Sequence, residues 1–170
     1  MRIFLLVMQW VARLPLSWVR ALGWAMGQLL FVVLAGRRQV VLVNLTLCFP
    51  QWTQARRRAC ARRVFVHVAQ SWLDRGWLWH APPPVVRRRL SIVGAVHELA
   101  GDAPIVLFAP HFVGLDAAWT ALTQQVPRRF ATIYSPQMNP SADAWIYEGR
   151  NRFGVPELVA QAGTWRSAIP

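Results

Sequence analysis

Residues 104–119 read PIVLFAPHFVGLDAAW, and their folding decides what the chain can do. Pro104 to Ala109 form a continuous apolar, β-rich run of the kind buried on both faces of a sheet, which predicts a central strand. Pro110 closes that run, Phe112-Val113-Gly114 supplies a turn, and Gly114 to Gln125 follow as a helix. His111 is therefore expected at the carboxyl end of a strand, where open α/β sheets carry their ligand sites, with Asp116 in the first turn of the helix. On one continuous helix the two side chains would stand roughly 140° apart; the turn is what lets them face each other. An aspartate that accepts a hydrogen bond from one imidazole nitrogen fixes the tautomer and makes the other nitrogen a better base. Such a pair can take a proton from a hydroxyl as it attacks a thioester carbonyl, with no covalent enzyme intermediate.

Working outward, LSIVG (90–94) reads as a short strand and AVHELA (95–100) as a helical turn, with a break at Gly101 and Asp102. RFATIY (129–134) reads as another strand, SPQMNP (135–140) as a loop, and Ser141 to Tyr147 as a restarted helix. Strands and helices alternating at this spacing predict an α/β sandwich with crossover connections.

Upstream the character changes. HAPPPVV (80–86) is a boundary, because three consecutive prolines cannot continue a helix. Before it, Pro50 closes an apolar stretch, Thr53 is a candidate cap, and Gln54 to His80 carry helical periodicity: Phe65, Val68, Ala69, Trp72 and Gly76 fall at i, i+3, i+4, i+7 and i+11. Arg56, Arg57, Arg58, Arg62 and Arg63 flank this stripe, and Trp72, Trp77 and Trp79 lie further along. A cationic shoulder with tryptophans suits a membrane surface, and equally a plain solvated face.

From Ile3 to Gly36 the chain is mostly apolar, interrupted by Arg13 and Arg20 and cleanest over ALGWAMGQLLFVVLA (21–35). That run is somewhat short of the ~20 residues a spanning helix needs, although Trp18 extends it toward the interface. Residues 1–36 are read as a membrane anchor, spanning or not; a pair of buried core helices is the alternative. No small-residue cleavage site follows a compact basic start, so a cleaved signal peptide is not expected. Arg37 and Arg38 come directly after, which puts the rest of the chain on the cytoplasmic side if the anchor spans. Three regions result: an anchor (1–36), a basic amphipathic helical region (37–86) and an α/β region (87–170).

With 170 residues the chain can build one domain with a real core. Nineteen basic residues, all arginine, against seven acidic ones give a net charge of +12 and call for an anionic partner. A hydrophobic content of 55% with ten tryptophans favours lipid over nucleic acid, and no nucleic-acid-reading motif is present. Cys48 and Cys60 have neither CxxC spacing nor a ligand cluster and are read as a reduced pair. His67, His80 and His97 are read as structural or exposed. No HxxxH, HExxH or paired-cysteine spacing occurs, so neither a metal nor a bound cofactor is expected.

Four blocks in order carry a resemblance: NLTLCFP (44–50), HFVGLD (111–116), YSPQMNP (134–140) and GRNRFG (149–154). HFVGLD fits the HxxxxD/E signature of glycerolipid-type acyltransferases, and with the other three blocks the chain resembles the bacterial lipid A biosynthesis (lauroyl/myristoyl) acyltransferase family up to about Glu157. The resemblance implies an enzyme at the cytoplasmic face of the bacterial inner membrane that moves a fatty acyl chain from acyl carrier protein to a hydroxyl of a Kdo-bearing lipid A precursor. It implies His111 as general base and Asp116 as its partner. Arg150 would hold acceptor phosphate or stabilise developing charge, with Arg152 assisting; a guanidinium fork suits either task.

The arginines of 56–58 would serve an acidic carrier protein or anionic phospholipid alike. Family members continue well beyond this length, so a C-terminally truncated chain with an incomplete α/β sandwich, and 87–170 as a partial catalytic domain, is expected. An acyltransferase with a lysophospholipid or amino-lipid acceptor, and a truncated inactive membrane-associated homologue, are the alternatives.

Overall fold

The structure, a computed structural model, describes residues 2–101, 103–154 and 157–160. In chain order it contains α1 (Arg2–Arg13), α2 (Leu16–Val33), α3 (Ala35–Cys48), α4 (Gln54–His80), α5 (Pro83–Arg89), a 3₁₀ turn (Val96–Leu99), α6 (Leu115–Gln125), β1 (Ala131–Tyr134), α7 (Pro140–Arg150) and β2 (Glu157–Ala160). Local chemistry sets several of these limits. The Thr53 hydroxyl accepts a hydrogen bond from the Arg56 amide and starts α4 where the sequence predicts it. The proline run ends α4 at His80, and Pro83 then opens α5, since a first-turn position loses nothing by lacking an N–H. Asn139 caps α7 by accepting from the Ser141 and Ala142 amides, with Pro140 in its first turn.

The long helix α4 is the spine, and α1 and α2 lie along it. Glycines make the fit. A Cβ on Gly27 would stand 2.4 Å from the Val66 Cα, and one on Gly76 would stand 2.9 Å from a Val11 methyl, so any side chain at either position would force the helices apart. Val11, Val19, Leu73, Trp77, Leu78 and Val86 form the main core with Trp145 and Ile146 of α7. A smaller cluster of Phe31, Ala61 and Phe65 fastens the far end of α2 to α4, with the two phenyl rings edge to face at 5.5 Å.

The opposite faces of the N-terminal helices remain apolar and open. Trp18, Trp24, Leu29, Val32 and Val33 of α2 and Val40, Val43 and Leu47 of α3 are exposed. By length and composition α2 is long and apolar enough to cross a membrane. Residues 1–73 hold ten arginines and no aspartate or glutamate. Exposed apolar side chains and an excess of positive charge therefore belong to the same N-terminal stretch, in which Arg20 is paired with Asp74.

The sheet is smaller than the sequence predicts. Among the described residues it consists of β1 and β2, paired in parallel with Ala131 opposite Glu157 and Tyr134 opposite Ala160. The runs 90–94 and 104–109 form no ladder. A buried strand exists only through partners on both edges, and here Val106 is 96% and Phe108 91% exposed. The apolar stripe of α4 is also rotated from its predicted line. Phe65, Ala69 and Gly76 are buried with Leu73 and Trp77, whereas Val68 and Trp72 stand exposed and line a cleft.

Candidate active site

Asp116 enters the fold through the turn predicted for it. Gly114, at φ +94°, adopts the left-handed conformation that reverses the chain directly ahead of α6, a conformation glycine tolerates without a Cβ penalty. The reversal drops Asp116, in the first turn of α6, into a buried position between α4 and α7. Each of its oxygens accepts one charge-assisted hydrogen bond: Oδ2 from Arg75 Nε at 2.8 Å and Oδ1 from Arg150 Nε at 2.9 Å. The carboxylate thus ties three helices at one point. Trp119 Nε1 donates to the Arg150 carbonyl at 2.9 Å and fixes the end of α7 against α6. The Arg75 guanidinium lies over Trp72 at 4.1 Å and Trp79 at 5.4 Å, which holds its plane still.

These groups open onto a cleft of about 250 Å³ lined by Ser71, Trp72, Arg75, His111, Asp116 and Arg150. His111 is exposed on its wall and makes no hydrogen bond to Asp116 among the described residues. The expected imidazole–carboxylate contact is therefore replaced by a carboxylate–arginine cluster, with the histidine sharing the cavity. The physical reason is the setting of the carboxylate: a buried anion is stable only when paired, and Arg75 and Arg150 each bring a full opposite charge with the hydrogen bond. Across the Phe112–Gly114 turn lies a second cleft of about 440 Å³, bordered by Arg20, His67, Gln70 and Asp74. Asp74 is already engaged there, ion-paired with Arg20 and accepting from Trp77 Nε1 at 2.7 Å.

Arg152 takes no place in this cavity. Its Nη1 donates to the Leu78 carbonyl at 2.8 Å and its Nη2 to that of Ala81, so it caps the C-terminus of α4. It also sits near His80, whose Nε2 accepts from Trp145 Nε1 at 3.1 Å. Burial, and then the positive charge of Arg152, push the His80 imidazolium below its ordinary range near 6.5. The unfolded chain then binds the extra proton first, so stability rises with pH through this window. This contribution is full above the unfolded value and is lost as pH falls through the folded one. Thermal unfolding followed between pH 7.5 and 5 should show the midpoint falling, and falling less in His80→Gln, which can still accept from Trp145; equal slopes for both proteins would rule His80 out as the cause.

Sequence reasoning missed Arg75, although a signal existed. Between Arg63 and Arg87 the only Asp, Glu, Lys or Arg residues are Asp74 and Arg75, set in an otherwise apolar and tryptophan-rich half of α4. A charged pair retained in such a setting must find partners across the fold, and both did. Of the other histidines, His67 borders the second cleft and His97 is exposed beside Glu98.

A histidine and an arginine-clamped carboxylate, five residues apart around a left-handed glycine and sharing one cavity, make a candidate acyl-transfer site of the HxxxxD class. The chain belongs to the bacterial lipid A biosynthesis acyltransferase family, whose profile matches residues 2–169. It is 28% identical over 139 residues to a lipid A biosynthesis lauroyltransferase of Escherichia coli K12, covering 80% of this chain and 44% of that protein. It is 32% identical over 125 residues to a lipid A biosynthesis acyltransferase of Haemophilus influenzae Rd, covering 71% of this chain and 38% of that protein. The chain thus spans less than half the length of the curated relatives it matches. No solved structure matches it.

Proposed function

We propose that the protein transfers a fatty acyl chain from acyl carrier protein to a hydroxyl of a Kdo-bearing lipid A precursor, at the cytoplasmic face of the bacterial inner membrane. His111 is the general base. Its imidazole takes the hydroxyl proton as the acceptor oxygen attacks the thioester carbonyl carbon, the carbon–sulfur bond breaks, and the departing thiolate recovers a proton from the imidazolium. The observation that carries this reading is the shared cleft: His111 opens onto the same cavity as Asp116 and Arg150 within the family's own blocks.

Asp116 serves His111 in the same step. A carboxylate has about four lone-pair sites, and Arg75 and Arg150 use one on each oxygen, which leaves room for an imidazole N–H once substrate draws the 104–112 segment inward. In that state residues 104–109 form a strand of an α/β sandwich of the glycerolipid acyltransferase type, together with β1 and β2. The open apolar faces of α2 and α3 and the arginine-rich stretch 1–73, which holds no acidic residue, support residence on an anionic bilayer.

The test is acyl transfer by the purified protein in detergent or vesicles, using lauroyl- and myristoyl-carrier donors. A Kdo-bearing precursor, a lysophospholipid and an amino-lipid are offered as competing acceptors. Product on the precursor, at a rate well above that on the other two, is expected. Preferential product on either rival would reassign the acceptor, and no product on any would remove the enzymatic reading.

A further inference from the structure

The cluster around Asp116 is unbalanced. Two guanidinium groups meet one carboxylate, leaving an excess of one positive charge at the cleft, and Asp116 is the only carboxylate among its described lining residues. Both arginines spend Nε on the carboxylate, and no described residue accepts a hydrogen bond from the terminal nitrogens of either fork. Arg75 Nη1 is buried with no hydrogen-bond partner among the described residues. A buried donor without a partner is costly, and the indole faces of Trp72 and Trp79 keep this one from turning away. Neither ring offers an oxygen. An anion bound in the cleft would balance the spare positive charge that these two arginines bring to its lining.

We propose that Arg75 and Arg150 form a two-arginine seat for a phosphate oxyanion, with Arg75 the member that makes it selective for a phosphorylated substrate. The proposal rests on the acyl-transfer reading for the identity of that substrate and extends it to a residue outside the family blocks. Asp116 is the template: by holding each fork at Nε it fixes both guanidinium groups on the lining of one cavity, and a pair of planar forks suits the several oxygens of a phosphate. The phosphate can come from the lipid acceptor or from the phosphopantetheine arm of the donor. Both present the same oxyanion.

Three measurements on the full chain decide the matter, each comparing wild type with Arg75→Lys, which keeps a charge for Asp116 but loses the planar fork. In the first, kcat/KM is measured with the acceptor and with its enzymatically dephosphorylated form. The preference for the phosphorylated acceptor should fall about tenfold or more in the variant, as expected for one lost charge-assisted hydrogen bond. In the second, acyl-phosphopantetheine is compared with acyl-pantetheine as donor, and a fall of that size there instead would assign the seat to the donor. In the third, inorganic phosphate is titrated against thermal unfolding, at constant ionic strength. It should raise the midpoint of the wild type and not that of the variant, whose circular dichroism and phosphate-free midpoint show whether it has folded.

If no acceptor is acylated, the enzymatic reading fails while the phosphate titration still tests the seat. Unchanged preferences on both substrates, or equal phosphate stabilisation of both proteins, would overturn the proposal. So would a folded wild type that phosphate does not stabilise.

Discussion

Acyl transfer by His111→Ala is expected to fall by about 10²–10⁴-fold, the usual contribution of a positioned general base. The protein should unfold at the same temperature as the wild type. The second expectation follows from the environment of the ring: His111 is exposed and makes no hydrogen bond among the described residues, so its removal leaves neither a cavity nor an orphaned partner. Initial rates at saturating donor, with a melting curve on the same preparation, separate the two effects. A rate within tenfold of wild type would exclude His111 as the base, and a lowered melting temperature would show that it supports the fold after all.

Asp116→Ala should behave in the opposite way. Deleting a buried carboxylate leaves Arg75 and Arg150 facing each other with no counter-charge, and breaking a buried pair from one side costs about 3–5 kcal/mol. For a chain of this length that loss lowers the melting temperature by roughly 6–20 °C. Asp116→Asn, which keeps the shape and offers one acceptor oxygen, should lose less. In an Arg75→Gln background the penalty of Asp116→Ala should shrink, because one of the stranded charges is already gone. Were Asp116 only an orienting group for His111, the alanine variant would melt like the wild type; equal melting temperatures would therefore remove the structural role argued for the carboxylate. The contrast between a rate effect without a stability effect at His111 and a large stability effect at Asp116 is the signature of this cluster.

The helical half of the fold was legible because its signals are local. A threonine cap, an apolar period and three prolines delimit Gln54–His80 without reference to anything distant. The turn at Gly114 was legible for the same reason. The sheet was not, since PIVLFA states only that it could be buried, while whether it forms a ladder depends on strands elsewhere in the chain. Similarly, five-residue spacing and a turn bring His111 and Asp116 into one cavity but cannot reveal that guanidinium groups from 41 residues upstream and 34 downstream take the carboxylate first. Arg152 shows the same limit. Its block marks it as a site residue, yet its reach to the Leu78 and Ala81 carbonyls is a matter of how α7 returns to α4.

Arg152 stitches the segment after α7 to the end of the same helix that carries Arg75, while Gly149 lies flat against the indole of Trp79, again on α4. One 27-residue rod thus serves as the common chassis for both charged arms of the cavity. Any displacement of that rod carries the arms and the acid between them as a unit, because the ion pairs hold their spacing. The imidazole rides on a different carriage, the exposed run ahead of Gly114, so its distance from the clamp is not set by that rod.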